Sequence, residues 1–178
     1  MSDSIIAAAT IGFFKDGTVR SVDLGGYADC KPTPFVDCKP TALEIILNTD
    51  RDNKPDLEFK NATALKEGRA SVVSPRSAKV FSDMVQIVKN TLSLLKHPKT
   101  VCKRAKDEED AISCISADGA TKYLLTDVDH DHKPDAIMVL TISRKYGNVV
   151  LWDYPVKLIK GVEELYTRTI KPPTKGTK

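Results

Sequence analysis

Apolar and polar residues alternate along several short segments of the chain, a pattern typical of half-buried strands. The segment SIIAAATIGFFKDGTVRSVDLGGY predicts two strands joined by a tight turn, because its Asp16-Gly17 pair is a hairpin signal. The segment VEELYTRTI fits either a short helix or a strand. Further strands are predicted for the segments ALEIILN, DLEF, KYLLT, AIMVLTI and NVVLWDYPVKLI. The chain is therefore expected to form mainly antiparallel sheet.

One segment, from about Ser77 to Lys96, has the spacing of a helix. Pro75 precedes it, Pro98 follows it, and Ser77 is a candidate cap. Its apolar residues form one stripe: Val80, Phe81, Met84, Val88, Leu92 and Leu95. Such a stripe normally packs against a core. The predicted fold class is α+β, a mainly antiparallel sheet with one long amphipathic helix.

The composition fits one globular domain over residues 1–170, because 178 residues with 41% hydrophobic side chains can bury a core. The last eight residues, KPPTKGTK, predict a flexible basic tail over 171–178. A net charge of +3 is too small to indicate a nucleic-acid partner. No apolar run approaches the ~18 residues of a membrane span, so none is predicted.

Four cysteines form two close pairs, which predict the disulfides Cys30–Cys38 and Cys102–Cys114. Two alternatives stay open, a four-cysteine zinc site and four free thiols. Zinc sites usually space their cysteines two to four residues apart, closer than either pair here. Disulfides would place the protein outside the cell or in a periplasm.

Two acidic segments, NTDRDNKPDLEF and DVDHDHKPDAIM, share one pattern and begin 79 residues apart. Oxygen-bearing side chains recur at positions 1, 3, 5 and 9 of each: Asn48, Asp50, Asp52 and Asp56, then Asp127, Asp129, Asp131 and Asp135. The backbone carbonyls of Lys54 and Lys133, at position 7, are further candidate ligands. Oxygens so spaced are what Ca²⁺ requires, so the two segments predict two calcium ions.

The residues between these candidate ligands refine the prediction. Position 6, where a left-handed residue is needed, holds Asn53 or His132, types that tolerate that conformation. Position 12 holds Phe59 or Met138 instead of the bidentate Glu of a helix–loop–helix site, so each loop is predicted to join two strands. A metal-free acidic turn stays open, as does a transition metal bound through His130 and His132.

These two loops resemble the calcium loops of FG-GAP and VCBS repeats, of the form D-x-[DN]-x-D-G-x-x-D before a hydrophobic residue. The resemblance covers about a dozen residues in each segment. It implies structural calcium in a secreted or cell-surface adhesion domain. Each loop also follows a cysteine pair, which predicts an internal repeat with halves at roughly 30–59 and 102–140.

Signals for catalysis are weak. Glu163 and Glu164 are candidate paired carboxylates, but adjacent residues point apart. His97 is expected to complement the end of the helix. Trp152 and Tyr154 alternate along a predicted strand and are expected to face the same side, most simply in the core, with an aromatic binding patch as the alternative.

The pattern as a whole favours a secreted or periplasmic calcium-binding module that recognises a protein or glycan, rather than an enzyme. Two other functions stay open. One is a secreted hydrolase in which an acidic loop holds a catalytic metal for the cleavage of polysaccharide. The other is a periplasmic inhibitor or immunity protein, a class whose small disulfide-bonded members carry no readable motif.

Overall fold

The computed structural model describes the backbone of residues 6–31 and 37–171, and the side chains of residues 9–25 and 44–171. The described strands are β1 (Ile6–Phe13), β2 (Val19–Lys31), β3 (Asp37–Leu47), β4 (Leu57–Phe59), β5 (Val101–Arg104), β6 (Ala111–Ile115), β7 (Thr121–Thr126), β8 (Ala136–Ser143) and β9 (Gly147–Trp152). The described α-helices are α1 (Ala62–Lys66), α2 (Pro75–Leu94) and α3 (Val162–Ile170). A single 3-10 turn, Val156–Leu158, follows β9.

The nine described strands form one sheet in the order β4-β3-β2-β1-β9-β8-β7-β6-β5. All neighbouring pairs are antiparallel except β1 and β9, which run parallel. The sheet therefore consists of two antiparallel meanders, β1–β4 and β5–β9, joined at β9 in the centre. The predicted α+β class, with a largely antiparallel sheet, is confirmed.

Helix α2 carries the chain from β4 at one edge of the sheet to β5 at the other. It begins at Pro75 and ends at Leu94, against predicted bounds of 77 and 96. The cap is Ser74 rather than Ser77, since the Ser74 hydroxyl accepts the Ser77 N–H at 3.2 Å. On the buried side of α2, Phe81 and Met84 are fully enclosed. This helix closes one face of the sheet, here called the inner face.

The ambiguous segment VEELYTRTI is helix α3. Gly161, at φ 80°, adopts the left-handed conformation directly before it, which a strand continuing from the 3-10 turn would not require. Val162, Tyr166 and Ile170 are buried at four-residue intervals, so the helical period places all three against the sheet. Helix α3 packs next to β5 and β6 and covers the part of the inner face beyond α2.

The core lies between the inner face and the helices. Its fully buried strand residues come from alternate positions, among them Ile11, Val22, Ile46, Leu125, Val139, Val149 and Leu151. The intervening residues point to the opposite side, here called the outer face. Several of these are large and apolar yet exposed, which the predicted pattern did not show.

The prediction for Trp152 and Tyr154 is wrong. Strand β9 ends at Trp152, and Asp153 takes a left-handed φ of 54°, so the alternation stops between them. The Trp152 side chain is 57% exposed on the outer face. Tyr154 instead packs edge-on against Phe13, with ring centroids 5.0 Å apart.

The predicted disulfide Cys102–Cys114 is present and joins directly opposed residues of β5 and β6. The predicted Cys30–Cys38 bond lies outside the residues whose side chains are described, as does the tail beyond residue 171. The backbone assigns Cys30 to β2 and Cys38 to β3. The first cysteine pair thus lies on the second and third strands of its meander, and the second pair lies on the first and second strands of the other. The two pairs do not occupy equivalent strands, as the predicted internal repeat would require.

Candidate metal centre

The two acidic loops lie at the same end of the sheet. The first loop (residues 48–56) joins β3 to β4, and the second loop (residues 127–135) joins β7 to β8, so each connects the third and fourth strands of its meander. The turn between β1 and β2 lies between them. Its Phe14 is stacked by Arg51 of the first loop at 5.1 Å from the ring centroid, and it also lines a surface cleft of about 490 Å³ with Asp135 of the second.

Both loops close with the same hydrogen bonds. The Asp56 N–H donates to the Leu47 carbonyl at 2.7 Å, and the Asp135 N–H donates to the Thr126 carbonyl at 2.8 Å. The position 9 carboxylate then accepts the N–H of position 2, from Thr49 at 2.6 Å in the first loop and from Val128 at 2.8 Å in the second. These hydrogen bonds therefore close the base of each strand–loop–strand connection without a bound ion.

The carboxylates at positions 3 and 5 hold the following turn in the same way in both loops. Asp50 accepts the N–H of Asp52 at 3.3 Å, and Asp129 accepts the N–H of Asp131 at 3.1 Å. The position 5 carboxylates of Asp52 and Asp131 accept the N–H of position 7 at 2.8 and 2.9 Å. Each of these side chains bonds the backbone two residues farther along, so the turn is held by local contacts in both loops.

The predicted left-handed residue at position 6 is confirmed in both loops. Asn53 has φ 60° and His132 has φ 71°. Position 4 is left-handed as well, at Arg51 (φ 67°) and His130 (φ 60°), which the spacing alone did not indicate. Two left-handed residues per loop coil the chain tightly enough to gather side chains from both ends of the loop.

In the second loop three carboxylates converge. Ligand oxygens of Asp127, Asp129 and Asp135 lie within 4.8 Å of one another, a set that could hold a metal ion. Within the described ranges, no other three side chains of the Asp, Glu, His or Cys types meet so closely. Asp131 is outside this set, and so are the first-loop carboxylates Asp50, Asp52 and Asp56. The carbonyls of Lys54 and Lys133 stay predicted ligands.

The anchor of the second loop is Asp127, only 4% exposed. Its carboxylate accepts the N–H of Asp131 at 3.2 Å and of His132 at 2.8 Å. The corresponding Asn48 accepts earlier N–H groups, those of Asp50 at 3.3 Å and Arg51 at 3.1 Å. The side chain at position 1 therefore accepts backbone hydrogen bonds in both loops, but from residues at different positions.

Repulsion between neighbouring carboxylates is visible in both loops. The Asp131 N–H lowers the pKa of Asp129, but partial desolvation and the charges of Asp131 and Asp135 outweigh it, and the net shift is upward. In the first loop, the shared hydrogen bond with Asp52 raises the pKa of Asp50. A bound dication would reverse both effects, because it favours the ionised form of every carboxylate around it.

The loops differ at position 2. The Thr49 hydroxyl donates a second hydrogen bond to Asp56 at 2.7 Å, and the Thr49 backbone and side-chain donors lower the pKa of Asp56. Val128 has no hydroxyl, and the second hydrogen bond that Asp135 accepts comes instead from the Asp129 N–H at 3.2 Å.

Two residues that support the second loop were missed by sequence reasoning. The Asp110 carbonyl accepts both the Asp127 N–H at 3.1 Å and the Tyr166 hydroxyl at 2.6 Å. The Asp110 carboxylate lies 2.7 Å from Nδ1 of His130 and raises the pKa of that imidazole. Asp110 ends the acidic run 108–110, whose charges alone indicate only a solvated surface. The pairing of β6 with β7 brings Asp110 next to the second loop.

The remaining candidates lie elsewhere. Glu163 and Glu164 are exposed in the first turn of α3, where negative charge suits the helix dipole. His97 lies in the turn after α2, and its Nδ1 accepts the Lys99 N–H at 3.2 Å. These contacts are structural.

Comparison of the chain with protein-family models, curated proteins and solved structures finds no match. Among the described residues, no helix combines the length and apolar character needed to cross a bilayer. The geometry of the acidic loops therefore carries the functional argument.

Proposed function

We propose that this protein is a calcium-binding module of an oxidising compartment, in which calcium is structural and the domain recognises a protein or glycan partner. The observation that carries the proposal is the convergence of Asp127, Asp129 and Asp135 within a loop whose conformation recurs in the first loop. The carboxylate of Asp131 and the carbonyl of Lys133 complete the proposed ligand set of the second ion. Asn48, Asp50, Asp52, Lys54 and Asp56 form that of the first.

The chemistry of the donors favours calcium over a transition metal. All converging ligands are carboxylate oxygens, which suit a hard cation with a large and adaptable coordination sphere. Neither imidazole of the second loop belongs to the converging set, and Nδ1 of His130 is engaged by Asp110. In the first loop the corresponding residue is Arg51, so an imidazole ligand would not be common to both sites.

A structural role follows from where the loops lie. Each joins two adjacent strands, so an ion bound there would pin the end of a hairpin. With extracellular-type dissociation constants of ~10⁻⁴–10⁻³ M, millimolar calcium would stabilise the fold by about 1 kcal/mol per site. The Cys102–Cys114 disulfide supports an oxidising compartment.

The proposal is tested by native mass spectrometry and thermal unfolding in chelator, in calcium and in magnesium. We expect two calcium adducts and a higher melting temperature in calcium than in chelator. Asp129→Asn should remove the adduct of the second loop. Asp107→Asn makes the same charge change in the neighbouring turn, at an exposed residue without a described side-chain contact, and should leave both adducts in place. Identical melting curves in calcium and chelator would refute metal binding.

A further inference from the structure

The outer face of the sheet carries a contiguous apolar patch that no described helix covers. Ile142 is 63% exposed, Trp152 57%, and Met138 and Leu140 38% each. All four lie on the adjacent strands β8 and β9, where Met138 is paired directly with Trp152. Single exposed apolar residues are ordinary, but four neighbours on one sheet face are typical of an interaction surface.

One row of paired residues crosses this face at the level of Val150, in the central strand β9. On one side Val150 pairs with Thr10 of β1, and Thr10 pairs with Asp23 of β2. On the other side Val150 pairs with Leu140 of β8, and Leu140 pairs with Lys122 of β7. An acidic and a basic residue thus lie two strands to either side of the central strand, at the same level.

Asp23 and Lys122 cannot pair with each other within one chain. Four strand spacings of about 4.8 Å place them ~19 Å apart, well beyond the ~8 Å screening length at physiological ionic strength. Asp23 is half-buried, and burial raises the pKa of its carboxyl more than the charge of Arg20 in the same chain lowers it. A cation placed over it from outside the chain would favour the ionised form.

A two-fold axis along β9 makes this row self-complementary. The rotation exchanges the two sides of the sheet and keeps the level along the strands, so Asp23 of one copy faces Lys122 of the other while Val150 faces itself. One strand farther out, Ile45 faces Ile115 by the same operation. Two sheets of the same twist can stack in this aligned manner.

We propose that the outer face is the interface of a homodimer, packed sheet against sheet about a two-fold axis along β9, with Asp23 of each copy paired with Lys122 of the other. The mirrored positions of the two charges identify the occupant as a second copy of this chain, since an isologous contact requires every residue to meet its complement on an identical surface. A different protein would need no such symmetry. The proposal is independent of calcium.

The available area is that of a stable dimer. The nine strands contribute 48 residues with described side chains, and at about 4.8 Å by 3.3 Å per residue these form a face of about 750 Å² per copy. Specific protein interfaces of standard size bury about 800 Å² per partner.

Sedimentation velocity over a concentration series tests the proposal by charge exchange. The wild-type protein should sediment at twice the mass of the 19.6 kDa chain. Asp23→Lys and Lys122→Asp each place like charges opposite one another twice per dimer, and each should weaken association by about tenfold or more. The double variant exchanges the charges and should restore the wild-type dimer.

Two control variants make the same charge changes on the helical side of the molecule. Glu163→Lys and Lys99→Asp lie away from the outer face and should leave the dissociation constant unchanged. Ile142→Glu replaces a side chain that is already exposed in the single chain, so it should fold normally and sediment as a monomer. Thermal unfolding of each variant verifies folding.

Three results would overturn the inference. A wild-type chain that stays monomeric up to about 0.5 mM has no such interface. A dimer that Ile142→Glu leaves intact is formed elsewhere. A double variant as weak as either single variant excludes the Asp23–Lys122 pairing. Repeating the series in chelator separates this proposal from calcium binding, because the dimer should persist when the loops are metal-free.

Discussion

The side-chain amide of Asn48 donates a hydrogen bond to the backbone carbonyl of Val19 at 2.9 Å, a contact that its counterpart Asp127 has no N–H to make. Asn48 is 1% exposed, so this bond ties the first loop to β2 inside the protein. At position 1 the first loop thus has an amide that anchors it to the backbone without metal, where the second loop has a carboxylate. We expect the second loop, with four acidic side chains, to bind calcium more tightly than the first.

Asn48→Asp should remove this anchoring hydrogen bond and add a carboxylate to the first loop. Without metal the new carboxylate faces the Val19 carbonyl with no proton to donate, and we expect a loss of about 2–3 kcal/mol in the free energy of unfolding. Calcium should recover more stability in this variant than in the wild type. Urea unfolding in chelator and in calcium measures both effects.

The matched variant is Asp127→Asn, which removes a carboxylate from the second loop. It should weaken calcium binding there without creating a new repulsion against a carbonyl. If Asn48→Asp were as stable as the wild type in chelator, the Val19 contact would not be the anchor described.

Tyr166→Phe tests the support beneath the second loop. The Tyr166 hydroxyl donates to the Asp110 carbonyl at 2.6 Å, and burial raises the pKa of Tyr166 to about 12. Removing the hydroxyl should cost about 1 kcal/mol and accelerate hydrogen exchange at the Asp127 amide, which bonds the same carbonyl. Tyr154→Phe is the control, because no described hydrogen bond involves its hydroxyl. Equal effects of the two variants would contradict the assignment.

The Asp83 carboxylate predicts a specific pH dependence. Hydrogen bonds from Tyr146 at 2.5 Å, and then from Lys145 and Lys79, lower its pKa below the ordinary value of 3.8. The folded-state pKa is depressed, so the stabilisation is complete above the unfolded-state value and is lost as the pH falls through the folded-state value. Tyr146→Phe should therefore lower the melting temperature near neutral pH, and the difference should shrink as the pH falls below the ordinary carboxyl pKa of 3.8 and through the lowered pKa of the folded state.

A thermal melting series of both proteins between about pH 2 and 7 makes this measurement. The comparison stays below the range in which tyrosine itself ionises. A difference that is independent of pH would mean that Tyr146 acts through packing rather than through Asp83.

Loss of the Cys102–Cys114 disulfide should destabilise the edge of the sheet at β5. The bond closes a loop with a sequence separation of 12, which corresponds to about 2–3 kcal/mol in the chain-entropy model. We expect the double variant Cys102→Ala and Cys114→Ala to lose that amount in urea unfolding. An unchanged unfolding midpoint in the variant would show that strand pairing alone holds β5.

The acidic loops were predictable because their conformation is local. Carboxylates at positions 3 and 5 bond N–H groups two residues along the chain, and Asn53 and His132 supply the left-handed turn without distant partners. The strands beside the loops were equally readable, since their apolar residues alternate. Spacing along the chain is sufficient wherever the contacts are between near neighbours.

What sequence reasoning missed depends on distant contacts. Strand β5 has mostly exposed residues and no alternation, so its only signature is the disulfide to β6. The support that Asp110 and Tyr166 give to the second loop requires α3 to pack beside β6. The separation of Tyr154 from Trp152 follows from the left-handed Asp153, a residue type that tolerates this conformation but does not predict it.

The position of β9 has a consequence for how the chain is made. This strand fills the centre of the sheet, yet it is the last of the nine described strands to leave the ribosome. Until it is synthesised, β1 presents an open edge, and the pairing of Ala8 with Asn148 must then close a loop of about 140 residues. Such non-local closure slows folding and leaves a strand edge exposed to other chains. The nascent sheet therefore stays incomplete until β9 has emerged from the ribosome.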